Sequence, residues 1–363
     1  MGGNASGFCS LEILISHRLL RLGPFQARID TPFVPERDRE TPCIVEHSVA
    51  GSSSGVVISY TVRREVPRAG ILTMNLLLNR FVCAYLRHFP VTEGKSLLLR
   101  ATRAHIRPRE AIQVSPTKHA FSMRLNLDNP EHERIYFYGE HDERYEIALL
   151  RKLIGPGMVC WDIGANIGFF TCLFSSLAGP GGKVVSFEPL SATREMLREN
   201  LALNRMSNVD VLPLAIGAED GKARIYFHDA RRGEGTASLH PADERSNSEE
   251  IAVARIDTLA ARLPAPDFVK IDVEGAQDEV WRGGARFFRE QAPLVMAELR
   301  ESADPVKLEA LQKRIRGHDY RIFEVLKGRR VREIPDFLNS RKRNFMLAKP
   351  GTEAMRQLQG LVA

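Results

Sequence analysis

No stretch of this 363-residue sequence holds the run of about 18 apolar residues that a membrane-spanning helix needs, which excludes a helical span. The most apolar helical segment, Met74 to Phe89, is interrupted by Asn75, Asn79 and Arg80 and fits packing on a larger domain better than lying on a membrane. Cysteine is scarce. Cys9, Cys43, Cys83, Cys160 and Cys172 show no C-x-x-C spacing, which argues against a zinc site or a disulfide framework. Cys160 and Cys172 lie inside apolar runs, and the set reads as reduced core thiols of a cytoplasmic protein. No internal repeat is present, so no repeat architecture is expected. What remains is ordinary for a globular protein: 44% hydrophobic and 26% charged residues, in a chain long enough for one large or two smaller domains.

The net charge of +6 is unevenly spread. Residues 74–157 carry a surplus of four basic residues, and the parts on either side carry one each. Between Lys95 and Arg124 seven basic side chains stand against one acid, Glu110. A solvated basic face accounts for this; an acidic substrate or a nucleic acid is the sharper reading.

Residues 1–73 alternate short apolar pieces with Gly, Ser and Pro, including Gly51-Ser52-Ser53-Ser54-Gly55, and are expected to be a poorly ordered extension. Met74 opens a better patterned segment and is a candidate translation start. Met1-Gly2-Gly3-Asn4-Ala5-Ser6 fits a myristoylation pattern and contains the sequon Asn4-Ala5-Ser6, both short enough to arise by chance. Residues 74–157 are expected to form an α+β cap, with a helix over Met74 to Arg87, a β-like stretch from Phe121 to Tyr138 and a helix from Glu140 to Leu150. The last helix leads into the main domain, residues 158–350, so Tyr145 and Glu146 are candidates for closing a site there; a solvated charged helix with a packed Tyr is the alternative. Residues 351–363 are left as a tail.

The main domain opens on Met158-Val159-Cys160-Trp161-Asp162-Ile163-Gly164-Ala165-Asn166-Ile167-Gly168, an apolar helix, and Lys183-Val184-Val185-Ser186-Phe187-Glu188-Pro189. This is a strand, a glycine turn, a helix and a second strand, each strand closing on an acid. Gly164 and Gly168 permit a tight turn and close approach of a ligand to the first amides of the helix. Glu188, beside Pro189 at the end of the second strand, is placed to accept both hydroxyls of a ribose. A dinucleotide loop has G-x-G-x-x-G spacing and tolerates a pyrophosphate. The spacing here is Asp162-x-Gly164-x-Asn166-x-Gly168, with a carboxylate where phosphate would be repelled. S-adenosylmethionine carries a sulfonium and an ammonium and no phosphate, so acids around Gly164, Ala165 and Asn166 favour it. A plain strand-to-helix connection would account for the glycines alone, and the paired Glu188 is what points to a cofactor.

Strands and helices alternate from there, the pattern of a mostly parallel sheet covered on both faces, an α/β fold. The helix after Gly168 is apolar almost all round; the next starts at Ser191 as N-cap; a third strand runs from Val209 to Ile216 and includes Ala215, assigned to the cofactor side. Lys222 to His228 reads as a strand and Asp229 to Glu250 as a long polar loop serving substrate access, or as disorder. Later strands are Phe268 to Asp272 and Leu294 to Glu298. A helix follows, capped by Asp304, with Pro305 first and Gly317 just past its end. Tyr320 to Val325 and Asn344 to Ala348 close the domain as an antiparallel pair.

Four strands end in a carboxylate: Asp162, Glu188, Asp272 and Glu298. In an open parallel sheet the carboxyl ends share the edge where ligands bind. Asp162 and Glu188 fall to the cofactor, leaving Lys270, Asp272, Glu274 and Glu298 for the substrate, with helix capping as the structural alternative. At this point Asp162-Ile163-Gly164-Ala165-Asn166-Ile167-Gly168, Phe187-Glu188-Pro189, Lys270-Ile271-Asp272-Val273-Glu274-Gly275-Ala276 and Asn344-Phe345-Met346 together resemble the FkbM-type methyltransferases. The resemblance covers residues 135–350, and the Lys270-to-Ala276 block is its specific part; Gln277 departs from the Glu common in the family. The resemblance implies a Rossmann-like class I methyltransferase fold with a seven-stranded sheet and methyl transfer from S-adenosylmethionine, typically to a hydroxyl oxygen.

The expected reaction is in-line displacement, in which alignment of reactants is worth about 7–11 kcal/mol and a general base about 10²- to 10⁴-fold. Asp272 is the first candidate for that base, Glu274 the second and Glu298 the third; His141, His228 and His240 are isolated histidines in polar sequence. No spacing demands a metal. The acceptor is expected to be a small molecule or glycan such as a glycolipid, polysaccharide or secondary metabolite, acidic if the Lys95-to-Arg124 cluster meets it. Nucleic acid fits less well, because an Asn/Asp-Pro-Pro-aromatic turn would be expected where Asp272-Val273-Glu274-Gly275 stands. An RNA or protein methyltransferase, a non-catalytic S-adenosylmethionine-binding partner and an NAD-dependent oxidoreductase remain as alternatives.

Overall fold

A computed structural model of the chain describes residues 9–15, 44–52, 55–63, 79, 81–87, 95–227, 247–299 and 304–363. The chain divides into two compact units, residues 1–82 with 96–107, and residues 83–95 with 108–363. In the first, β1 (Cys9–Ile15), β2 (Ile44–Ser52) and β3 (Gly55–Arg63) form an antiparallel sheet in the order β1-β3-β2. Helix α1 (Lys95–Ile106) contributes all but its first residue to this unit. These strands lie within the stretch expected to be poorly ordered. Its other residues, with the Met1-to-Ser6 patterns, lie outside the described residues.

The second unit begins with a hairpin, β4 (Ile112–Pro116) and β5 (Ser122–Asn126), followed by helices α2 (Pro130–Tyr138) and α3 (Arg144–Leu153). The β-like reading of Phe121 to Tyr138 holds only for its first part. Asn129 accepts hydrogen bonds from the amides of Glu131 and His132, Pro130 occupies the first turn, and Gly139 closes the helix at φ 70°. Cap, proline and glycine are helix punctuation that outweighs the β propensity of Ile135, Tyr136, Phe137 and Tyr138.

The large sheet takes β6 (Val159–Ile163), β7 (Lys183–Phe187), β8 (Val209–Leu212), β12 (Phe268–Ile271), β13 (Leu294–Glu298), β14 (Arg321–Leu326), β15 (Arg330–Ile334) and β16 (Asn344–Ala348), in the order β15-β14-β16-β13-β12-β6-β7-β8. From β8 to β13 neighbours are parallel; β16 runs against both β13 and β14. Seven strands match the expected sheet. The eighth, β15, turns back from β14 through Gly328 and Arg329, both at positive φ, and extends the edge. The third strand divides at Pro213, which has no N–H to give a ladder. Val209–Leu212 stays in the large sheet, and β9 (Leu214–Ile216) leaves to pair with β11 (Asn247–Ala254), which itself pairs with β10 (Gly221–Phe227). Residues 228–246, most of the expected access loop together with His228 and His240, lie outside the described residues.

Both faces of the sheet are covered, so its strands are apolar on both sides. Cys160, Phe268 and Met296 face α4 (Phe169–Ala178), α5 (Ser191–Leu203) and the cap helices. Trp161, Ile163, Val269 and Val295 face α7 (Gln277–Gly283), α8 (Ala285–Glu290) and α9 (Pro305–Gly317), which follow the short α6 (Ile256–Leu259). Asp304 caps α9 through the Val306 amide, 2.9 Å away, as its position before Pro305 predicts, and Gly317 is the last helical residue. The residues set aside as a tail contain α10 (Glu353–Gln359), whose Met355 and Leu358 join the core.

Candidate functional site

Strand order reverses between β6, which leads outward to β7 and β8, and β12, which leads the other way to β13. Loops leaving the carboxyl ends of two such strands diverge and leave a crevice. A cavity of about 950 Å³ opens there. Of the residues expected to meet a cofactor, Gly164, Asn166, Glu188, Pro189 and Ala215 line it. From the cap come Tyr145 and Glu146, and from the substrate side Asp272, Glu274 and Glu298. Asp162, Ala165, Gly168 and Lys270 lie outside the lining.

The glycines of the turn answer to the protein as much as to a ligand. Gly164 has φ 82°, and a Cβ there would lie 1.8 Å from the carbonyl oxygen of Asp272. The turn after β6 is packed against the end of β12, which fixes the spacing of the two loops that flank the crevice. At Gly168, φ 90°, a Cβ would strike Leu197 Cδ1 at 2.2 Å, so this glycine lets α4 sit against α5. The amides of Gly164 and Ala165 both donate to the Phe187 carbonyl at 3.0 Å. Glu188 closes the arrangement: Oε2 accepts from the Asn166 amide at 3.0 Å and Oε1 from the Leu190 amide at 2.9 Å. Burial pushes its carboxyl up to about 7, against the pull of those two amides.

Register explains the charge beneath the floor. Ser186, Asp162 and Lys270 are direct neighbours on β7, β6 and β12 and point to one face of the sheet. Asp162 is fully buried; its Oδ2 accepts from Thr171 Oγ1 at 2.6 Å, and Thr171 also contacts Ser186 Oγ at 2.9 Å. Lys270 is 3% exposed, its ammonium 4.6 Å from the Phe170 ring centre, and donates to Asp272 Oδ2 at 2.6 Å. Burial opposes its charge, but Asp272, Asp162 and Glu143 together hold its pKa above the ordinary lysine range. Burial raises the Asp162 carboxyl, partly offset by Lys270 and Thr171. Lys270 is therefore a charged strut that ties a cavity acid to the sheet interior. Asp272 Oδ1 has no partner among the described residues.

Several lining residues carried little signal in the sequence. Glu131 on α2 pairs with His141, whose ring rests on Phe169 and Phe170. Burial works against charge on His141, but Glu131 and Glu143 outweigh it and push it up to about 9, while His141 draws Glu131 down to about 2 despite burial. The His141 Nδ1 is buried and without a hydrogen-bond partner, and the pairing with Glu131 favours the charged ring, which works against a role as base. Asn344 donates to Glu143 Oε1 at 2.7 Å, and Arg343 pairs with Glu298. Glu143 of the cap and Asn344 at the start of β16 stand 201 residues apart in sequence; of the residues gathered here, the sequence singles out His141, Glu298 and the Asn344 motif, but not Glu131, Glu143 or Arg343. Among the described residues no cluster of three or more His, Cys, Asp or Glu is placed to hold a metal ion.

Residues 162–341 match the family described as methyltransferase FkbM domain. Among curated proteins, the chain is 30% identical over 170 residues to hexuronic acid methyltransferase AglP of Haloferax volcanii, covering 46% of this chain and 65% of that protein. It is 27% identical over 141 residues to methyltransferase 1 of Beauveria bassiana, covering 34% and 56%. The chain spans less than two thirds of the length of these relatives. Among solved structures, methyltransferase FkbM from Methylobacillus flagellatus aligns at 20% identity and a TM-score of 0.35, over 53% of this chain and 43% of that one.

Proposed function

Residues 162–341 belong to the FkbM methyltransferase family, and from that premise we propose that the chain transfers a methyl group from S-adenosylmethionine to a hydroxyl oxygen of a sugar, glycolipid, polysaccharide or secondary metabolite. The observation that carries the reading is the meeting, in one cavity, of a buried acid just past β7 with a lysine-anchored acid just past β12. The residues present fit the donor. Each Glu188 oxygen accepts one amide and keeps a second lone pair, as a ribose diol requires. The Gly164 and Ala165 amides are spent on Phe187, so this turn offers no amide cradle for a pyrophosphate, which argues against a dinucleotide. Glu146, Glu188, Asp272 and Glu298 around the cavity favour a cation over a phosphate.

When bound, S-adenosylmethionine supplies a methyl group made electrophilic by its sulfonium. Glu188, Asn166, Pro189 and Ala215 would hold the nucleoside, with Tyr145 and Glu146 closing from the cap. An acceptor hydroxyl is a poor nucleophile at neutral pH and gains reactivity by losing its proton as attack develops. Asp272 is the group to take that proton on Oδ1, since Lys270 occupies Oδ2 and keeps the side chain from swinging away. Glu298 pairs with Arg343 much as Asp272 pairs with Lys270 and stays a further candidate for that role.

The test is methyl transfer from labelled S-adenosylmethionine into fractionated lysate, with the labelled species identified. Asp272→Asn should lower kcat by about 10²- to 10⁴-fold while affinity for S-adenosylhomocysteine changes little. Unchanged kcat would remove Asp272 from the reaction, and absence of binding to either sulfur nucleoside by folded protein would end the reading.

A further inference from the structure

Cations that line the cavity are already committed. Arg134 pairs with Asp142, Lys222 with Glu250, Arg282 with Glu279 and Arg343 with Glu298. Around Tyr145, also part of the lining, stand three cations that are not themselves lining residues, and for them the situation is reversed. Arg144 Cζ, Lys342 Nζ and Lys327 Nζ lie 5.5, 5.6 and 5.9 Å from the centre of its ring, within reach of a cation–π contact. None of the three has a carboxylate partner among the described residues. Lys342 acts at longer range on Glu146 and on Glu324, which is itself bonded to Arg332 and Ser340. The three charges come from separate places, the first turn of α3, the β14–β15 turn and the segment before β16, so the fold gathers them.

We infer that this cluster is a subsite for an anionic oxygen group, a carboxylate or a phosphate, on the acceptor sugar. Naming the ligand an acceptor rests on the methyl-transfer reading; the anion preference rests on the cluster alone. Three like charges held around one ring repel one another, and an anion reverses the sign of that energy. Arg329, Arg330 and Arg341, exposed on the same two segments, extend the positive field outward and would steer such a ligand inward. A membrane or a nucleic acid would call for basic groups spread over an open face, whereas these, outside the lining themselves, converge on one ring at the cavity's edge. The Lys95-to-Arg124 run is a poorer source for the preference. Arg100, Arg103 and Arg107 belong to the first unit, and in the second Lys118 and Arg124 are paired with Glu140 and Glu199.

The experiment titrates D-glucuronate, D-glucose 6-phosphate and D-glucose into the full chain by saturation-transfer NMR, with and without S-adenosylhomocysteine, for the wild type and for K327A/K342A. At least one anionic sugar should bind about tenfold more tightly than glucose, and the preference should vanish in K327A/K342A and fade with added salt. A preference for glucuronate alone assigns the group to a carboxylate, and for the 6-phosphate alone to a phosphate. Glucose binding as well as both, or a preference that survives in K327A/K342A, overturns the inference. So does lysine-dependent sedimentation with phosphatidylglycerol vesicles in the absence of any sugar preference. Heat of S-adenosylhomocysteine binding in the same samples reports separately on the methyltransferase reading, since the cluster is judged in both sets of titrations.

Discussion

Replacing Lys270 by methionine should destabilise the protein far more than its loss of one ion pair at the cavity floor suggests. Lys270 is 3% exposed and Asp162 fully buried, and the two are register neighbours in the middle of the sheet. Methionine keeps the volume of the side chain and its contact with Phe170, so the change isolates charge. Asp162 then keeps only the Thr171 hydroxyl, because its Oδ1 has no hydrogen-bond partner. Removing one member of a buried ionic group costs about 3–5 kcal/mol, a large share of the 5–15 kcal/mol that holds a typical domain together. Removing both charges costs much less, so D162N/K270M should regain most of the loss. Burial raises the Asp162 pKa even beside Lys270, so its ionised form costs stability once pH exceeds the unfolded carboxylate range. Without Lys270 that cost increases, and the deficit of K270M relative to wild type should be larger at about pH 8 than at about pH 5. Urea unfolding of the three proteins at both pH values measures this. K270M within about 1 kcal/mol of wild type, or no recovery in D162N/K270M, would show that the polar row is not an electrostatic unit.

Other expectations follow from the same geometry. Gly164→Ala should cost about 1–3 kcal/mol from its left-handed backbone alone, with more from the collision with the Asp272 carbonyl. Turnover should fall with stability, as thermal unfolding and a methyl-transfer assay would show; an Ala variant as stable as wild type contradicts the packing account. Because the Glu188 carboxyl is pushed up to about 7, its ionised form costs stability that accrues as pH rises from the free carboxylate range through 7. On the proposed reading the ionised form is the one that accepts both ribose hydroxyls, so S-adenosylhomocysteine affinity should rise from about pH 6 to about pH 8, and E188Q should abolish the trend in calorimetry. The imidazole of His141 should titrate near 9 by NMR, its stabilising contribution complete below the ordinary histidine range and lost as pH rises through 9. In E131Q burial acts with less opposition and the midpoint should drop; a midpoint unmoved by E131Q would refute the pairing.

Much of the fold was legible because its signals are local. Apolar runs of strand length alternating with helical periods produced β6, β7, β12 and β13 within a residue or so, and Asp304-Pro305 marked the start of α9 correctly. Misreadings came where local signals conflicted or stopped short. The β-branched and aromatic residues of α2 hid a well-capped helix, Pro213 split a run that looked continuous, and β15 is defined by a turn at Gly328 and by pairing with β14. For the candidate site, acids at strand ends pointed to the edge where the cavity opens, but the same pattern could not tell the cavity acids Glu188, Asp272 and Glu298 from Asp162, which faces the interior.

By itself the sequence determined the alternation of strands and helices, the glycine turn after β6 and the supply of acids at one edge, since each depends on neighbours a few residues away. Only the tertiary structure decided that Gly164 must clear the Asp272 carbonyl, that Lys270 stands beside Asp162, that His141 is held charged by Glu131, and that three cations meet at Tyr145. Those are outcomes of register and of packing between distant segments. Electrostatic energy depends on separation in space and on burial, and neither is fixed until the sheet has paired and the cap has closed over it.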